Sequence, residues 1–330
     1  MIFSPEISWM RYMIGDAGNI NRLYWAVKTA SEVQAEHLET LSDFYLKNYG
    51  KLTSQGQGKR GLTRPRSLEP HFSLARELDL LEWKERERWR ITFGPGKAFI
   101  TLWEKWGKQP PTSLLLGQLV RYDRSFLVPF ILGLVESDYD FSHRKFTGLG
   151  KVARDAWEEI WANGRRELEL RDPPLPDAKT VKRRTLLHHA QARVRFLNSS
   201  EGLALSIDKL RRLAQLFEDS QFKQLPSDYY FRIGDALTNI RPREIRNDEC
   251  DQLIIRAFSS LQRMGYASGF GVFALVNEMA LPKSALDWQT YSSYVRKQKG
   301  ISTSSSFRSD DFLISVEKEV IDLTEVLNDR

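Results

Sequence analysis

The chain has 330 residues, 41% hydrophobic and 28% charged, with 49 Lys/Arg against 43 Asp/Glu and a formal net charge of +6. That length is expected to hold two or three domains with well-buried cores, and the charge balance favours an anionic partner. The single cysteine, Cys250, excludes an internal disulfide and a multi-cysteine zinc site.

No run approaches the roughly 18 apolar residues of a membrane span, and Met1–Met13 lacks the basic-then-apolar order of a signal peptide, so a reducing cytoplasm is the expected compartment. From Leu23 to Tyr45 apolar residues recur at three- and four-residue steps, which predicts a helix over 20–49, with a break after Val33 that divides it in two. Lys51–Pro65 is polar, glycine-bearing and aperiodic, and reads as a basic loop. Ser67 then reads as an N-cap, with Phe72, Ala75 and Leu78 at helical spacing behind it. Leu80–Trp83 and Trp89–Phe93 read as paired strands around a charged turn, Lys84–Arg88. Gly94-Pro95-Gly96 breaks the second strand, and Lys97–Trp106 starts another helix.

Beyond Gln109-Pro110-Pro111 the most apolar stretch, 114–135, is interrupted at Asp123 and carries Pro129, which predicts two short buried helices with a turn between them. Helices are expected at 149–161, 180–197, 206–217, 229–237, 249–264, 270–277 and 287–299. Gly265 is expected to cap the helix over 249–264, 302–306 is read as a serine-rich turn, and 311–316 as a strand.

The segment LDLLEWKERERWRITFGPGKAF resembles the back half of a winged-helix domain: a leucine-rich helix end, a short strand, charged wing residues, R-x-T, a turn, then G-K. The resemblance is to the fold and names no particular protein. It implies a helix that fits the DNA major groove and a hairpin that reaches the backbone or minor groove. The cations placed for phosphate contact are Lys59, Arg60, Arg64 and Arg66 before the helix, Arg76 on it, and Lys84, Arg86, Arg88 and Arg90 in the wing, with Trp89 expected to pack inward. Glu85 and Glu87 partly neutralise the wing, and winged helices also serve as protein-interaction modules.

Charge is unevenly distributed. Lys59–Lys97 holds ten Lys/Arg against six Asp/Glu, Lys179–Arg195 holds six and no acid, and Ser309–Arg330 holds two against seven acids. In the second run Lys179, Lys182, Arg183 and Arg184 are further candidates for phosphate contact, although three consecutive cations fan round a helix rather than line one side. The adjacent His188 and His189 point to different sides of a helix and are expected to be one exposed, one packed. Gly148-Leu-Gly150-Lys151 and Gly269-Phe-Gly271 lack phosphate-loop spacing, so no nucleotide and no ATP or GTP hydrolysis is expected. The acids of a metal nuclease would have to come from Asp79 and Glu82, or from Asp310, Asp311, Glu317 and Glu319, and neither set converges by sequence. Cys250 reads as structural.

The expected fold is mainly α: a winged-helix domain over residues 1–110, a helical domain over 111–225, and an α-rich domain over 226–330 that is open to reading as a second winged helix with an acidic tail. The expected function is non-enzymatic contact with duplex DNA, with no cofactor, inside a larger nucleic-acid-processing or antiviral defence assembly with other protein subunits. The alternatives are a structural subunit whose winged helices bind protein, and a nuclease with an unrecognised site.

Overall fold

The computed structural model describes residues 7–33, 37–49, 68–83, 89–105, 110–139, 141, 148–169, 176–177, 179–219, 233, 247–280, 288–305 and 311–317. The chain is mainly helical, with small sheets. It divides into two compact units: Met1–Leu78, Trp83–Trp89 and Gln118–Gln224 form the first, and Asp79–Glu82, Arg90–Gly117 and Leu225–Arg330 the second.

In the first unit a 3-10 turn, Gly15–Gly18, leads into α1 (Ile20–Glu32), whose N-cap Asn19 accepts from the Arg22 N–H. Val33 ends α1, at the break expected there, and α2 (Leu38–Tyr49) follows. The next helix, α3 (Glu69–Glu77), packs on α1. Its N-cap is Leu68, without a side-chain bond, so the cap expected from Ser67 falls outside the described residues; Pro70 in the first turn supplies the helical φ instead.

Residues 114–135 do not form two helices. They lie in one helix, Thr112–Glu136, that is continuous through Asp123 and Pro129 and is numbered α5, after α4 (Pro95–Lys105). Asp123 is fully buried as the partner of Arg193, so the acid that interrupts the apolar run is a core group and not a turn. One turn before Pro129, the Ser125 N–H donates to the Ser8 carbonyl (3.0 Å), tying the helix to the N-terminal segment near the residue a proline disturbs.

α6 (Leu149–Glu169), with Gly164 out of helical geometry, and α7 (Arg183–Asn198) pack together, and Phe126, Phe130, Ala156, Trp157, Leu186 and Val194 belong to the core beneath them. Gly18 lets the 3-10 turn lie directly on α7: a Cβ there would meet the Ala192 carbonyl oxygen at 2.3 Å. α8 (Ile207–Glu218) starts at Ser206, which accepts from the Lys209 N–H, and buries Leu210, Leu213, Ala214 and Phe217 at helical spacing.

The hairpin is shorter than expected, β1 (Leu81–Glu82) against β2 (Arg90–Ile91), paired Leu81 with Ile91 and Glu82 with Arg90. Trp89, just before β2, is buried. The Thr of the R-x-T pattern is a structural residue. The buried Thr92 hydroxyl donates to the Asp79 carbonyl (2.6 Å) and accepts from the Gly96 N–H (2.8 Å), capping α4. Gly96 is required there because a Cβ would lie 2.1 Å from the Leu80 carbonyl oxygen. Thr92→Val removes both bonds with little change of shape and should cost about 1–2 kcal/mol, measured by urea unfolding.

In the second unit α9 (Asn247–Leu261) is followed by a tight turn with Met264 and Gly265 at positive φ, then β3 (Ala267–Ser268), α10 (Gly269–Ala280), α11 (Trp288–Lys297), β4 (Ile301–Ser305) and β5 (Phe312–Val316). The three strands form one antiparallel sheet in the order β3-β5-β4. Phe312, Ile314 and Val316 alternate inward from the central strand. The serine-rich stretch is β4 and not a turn: it pairs from Ile301 with Val316 to Ser305 with Phe312, and as an edge strand it buries Ile301 alone, so its serines face water. The helix expected over 229–237 falls almost wholly outside the described residues, which there include only Ile233.

Candidate nucleic-acid interface

Of the cations placed for DNA contact, Lys59, Arg60, Arg64, Arg66, Lys84, Arg86 and Arg88 lie outside the described residues. Arg76 is exposed near the end of α3. Arg90 is half-buried and its Nε donates to Glu82 Oε1 (2.6 Å), so a phosphate there competes with an ion pair across the hairpin. Lys179, Lys182, Arg183 and Arg184 are all exposed, the last two at the first positions of α7. The rest of that basic run is structural: Arg195 bonds Asp16 (2.5 Å), and Arg193 is completely buried.

The start of α7 is electrostatically unusual. Its N-cap, Lys182, supplies no side-chain capping bond, and its first turn holds no acid. Three successive cations therefore stand at the positive end of the helix dipole, where an anion is the favoured neighbour.

Beside this helix start runs the irregular segment Trp9–Ile14, held from below by buried charge. Arg193 grips Asp123 with two bonds (Nε to Oδ2 2.7 Å, Nη2 to Oδ1 2.6 Å) and donates to the carbonyls of Met13 (3.1 Å), Met10 (3.3 Å) and His189 (3.1 Å). Asp123 accepts the Met10 N–H (2.9 Å), and the Glu77 carboxylate accepts those of Arg11 and Tyr12 (2.8 Å each). Burial pushes Glu77 up to about 7, against the pull of those two N–H groups. Burial also raises Asp123, while Arg193 and the Met10 N–H lower it.

Between this segment and α7 lies an open cleft of about 420 Å³, lined by Trp9, Arg11, Trp157, Arg184, His188 and His189 among others. Trp9 meets Trp157 edge-on (5.4 Å, 89°) and His189 at a tilt (5.2 Å). His188 is exposed and His189 buried, as adjacent positions on a helix require. Burial holds His189 near 3, with the Arg193 charge acting in the same direction, so the ring is neutral. Its Nδ1 and the Trp9 Nε1 have no hydrogen-bond partner among the described residues.

α11 supplies a second basic site. Tyr294 and Gln298 bond the two oxygens of Asp251 on α9 (2.7 and 2.8 Å), and the Tyr291 hydroxyl donates to the Gly269 carbonyl (2.9 Å). Held this way, the helix end leaves Arg296, Lys297 and Lys299 exposed, with the Arg296 guanidinium over the Phe312 ring (5.5 Å).

Two of the acids weighed for a nuclease have structural partners, while Asp310 and Glu319 lie outside the described residues. Glu82 is paired with Arg90, and Asp311 accepts from the Ser268 hydroxyl (2.6 Å) and the Phe270 N–H (2.9 Å), capping α10. Cys250 is buried, which pushes its thiol up to about 12. Among the described residues no three His, Cys, Asp or Glu side chains gather as a metal site, and no helix is long and apolar enough to cross a membrane.

Sequence reasoning missed Trp9 and Arg11, which lie in a segment without helical period, and the Arg296–Lys299 cluster, which was legible as three cations in four positions at a helix end. Comparison of the chain with protein-family models, curated proteins and solved structures gives no match.

Proposed function

We propose that the chain is a non-enzymatic DNA-binding subunit of a larger nucleic-acid-processing or defence-type assembly, and that it holds duplex DNA mainly through phosphates. The observation that carries this reading is the order α9-β3-α10-α11-β4-β5 with the sheet order β3-β5-β4. Three helices on a three-stranded antiparallel sheet that ends in a hairpin is the arrangement of a winged helix. In that arrangement the helix before the hairpin enters the major groove. On this reading that helix is α11, which ends in Arg296, Lys297 and the nearby Lys299. The expectation of a winged helix over 67–99 rests on less: α3, a two-stranded hairpin and α4 follow in the right order, with the helix and the hairpin in different units. The assembly and its defence context are carried by analogy alone.

Protein interaction is the second reading, favoured by exposed apolar side chains at Trp83 (40%), Tyr266 (49%) and Met264 (90%). Fluorescence anisotropy with a mixed-sequence duplex separates the two. The triple variant R296A/K297A/K299A should bind about tenfold or more weakly, by a similar factor for unrelated sequences, with an unchanged melting temperature, because exposed charges contribute little to stability. K182A/R183A/R184A should weaken binding in the same way. Parental affinity in both triple variants favours the protein-interaction reading.

A further inference from the structure

The central strand of the three-stranded sheet carries the chain out of the sheet between two surfaces that match the sequence following it. The strand order is β3-β5-β4 and both pairs are antiparallel, so the end of β5 lies beside the starts of β3 and β4. Before β4 stand the exposed Lys297 and Lys299, and the Glu317 N–H donates to the Gly300 carbonyl (2.9 Å), which holds the exit against that segment. Asp251, the acid on α9 that meets the end of α11, is engaged by Tyr294 and Gln298. Before β3 stands the turn Arg263–Tyr266, closed by two backbone bonds between those residues (2.8 and 3.1 Å). Its exposed side chains include one cation, Arg263, and two large apolar groups, Met264 (90%) and Tyr266 (49%).

This turn is not built for its own stability. Met264 (φ 54°) and Gly265 (φ 82°) both take positive φ, a geometry for which Asn-Gly is the favoured pair. Methionine is strained there, and its thioether makes no local bond that would offset the strain as an Asn amide does. A strained position that holds a flexible apolar side chain out in water points to a contact surface and not to a requirement of the fold.

Residues 318–330 complement this end of the sheet in charge and in polarity. From Glu317 onward the sequence holds five acids, Glu317, Glu319, Asp322, Glu325 and Asp329, against Lys318 and Arg330. Each interval from Glu319 to Asp329 contains valine, isoleucine or leucine. A chain of that length spans at most about 45 Å from its point of exit, and both surfaces flank that point. A tethered segment needs little intrinsic affinity, because its effective concentration is of millimolar order.

We propose that residues 318–330 dock on this end of the second unit, their acids on Arg263, Lys297 and Lys299 and their apolar side chains on Met264 and Tyr266. The occupant is the chain's own segment, which starts at the surface it covers. Docked, it masks cations assigned above to phosphate, and duplex DNA must displace it. The masking rests on the DNA-binding reading, while the docking does not.

The test uses the full chain with an environment-sensitive fluorophore on Asn328→Cys; Cys250 is buried and stays unlabelled. At low salt the label should report an apolar surrounding that is lost by about 1 M NaCl, where charges are screened beyond roughly 3 Å. Met264→Asn suits the turn and should not lower the melting temperature, yet it should remove about half or more of that signal, and K297A/K299A should do the same. With a mixed-sequence duplex, V320S/I321S/L323S should bind about threefold more tightly than the parent, because it frees a covered site without changing net charge. Absence of duplex binding in every protein would sink the DNA-binding reading and leave the label to decide the docking. The docking is overturned if salt leaves the signal unchanged or if neither Met264→Asn nor K297A/K299A reduces it. It is also overturned if the signal grows with protein concentration, which would place the segment on a second copy. The masking is overturned if the parent binds duplex and V320S/I321S/L323S binds it equally.

Discussion

Arg193→Ala is expected to destabilise the protein by about 3–5 kcal/mol, among the largest effects of any single substitution outside the aromatic core. The guanidinium and its partner Asp123 are both 0% exposed, so removing the cation strands a carboxylate where water cannot reach it. The substitution also frees the carbonyls of Met10, Met13 and His189 and removes the cation from the Phe126 face (4.3 Å). Asp123→Ala should be costly for the mirrored reason. The double variant should cost clearly less than the two singles combined, because the second substitution removes the charge that the first leaves unpaired. Urea unfolding of the four proteins measures the cycle. A loss below about 1 kcal/mol for Arg193→Ala would mean that the pair does not hold Trp9–Met13 in place.

The second large effect is acid lability centred on buried histidines. His71 is held near 3, by burial first and then by the nearby Arg22 charge, and His189 is held near 3 in the same manner. An unfolded histidine takes a proton near its ordinary value of 6.5. Between pH 6.5 and 3 the unfolded chain therefore binds more protons than the folded one, and each histidine withdraws stability as pH falls through that window, by about 1.4 kcal/mol per pH unit. Glu77 has the opposite sign: held near 7 against an ordinary 4.5, it adds stability as pH falls from 7 to 4.5. The raised Asp123 acts with Glu77. A comparison of single substitutions separates these contributions. The stability of the parent relative to His71→Leu should be flat above about pH 7 and fall by about 3 kcal/mol between about pH 6.5 and pH 4. Equal pH profiles for the two proteins would show that His71 takes its proton in the folded state as readily as in the unfolded one.

Much of the helical frame was legible because its helices are amphipathic. α8 reads from Ser206 to Phe217 with its cap and stripe in place, and α1 ends at the break expected by Val33. The misreadings share a cause, a partner distant in sequence. Asp123 looks like a turn residue within an apolar run until Arg193, seventy positions on, is known to neutralise it. The same pairing removes Arg193 from a basic stretch that looks uniformly available. β4 carries no apolar alternation because it is an edge strand, and only its ladder with β5 identifies it. Trp9 and Arg11 gave no periodic signal because backbone bonds to Asp123 and Glu77, and not a helix, hold their segment. The helix-then-strand order of the last region was legible, while the place of β3 in its sheet was not, since two residues leave no pattern.

The central claim, that this chain holds DNA through phosphates, is tested most directly by the salt dependence of its affinity for a mixed-sequence duplex. The account predicts that log K falls linearly with log salt concentration, with a slope of about −3 or steeper, and that R296A/K297A/K299A flattens it by roughly one unit per lost contact. A slope near zero, or one that the triple variant leaves unchanged, would contradict it.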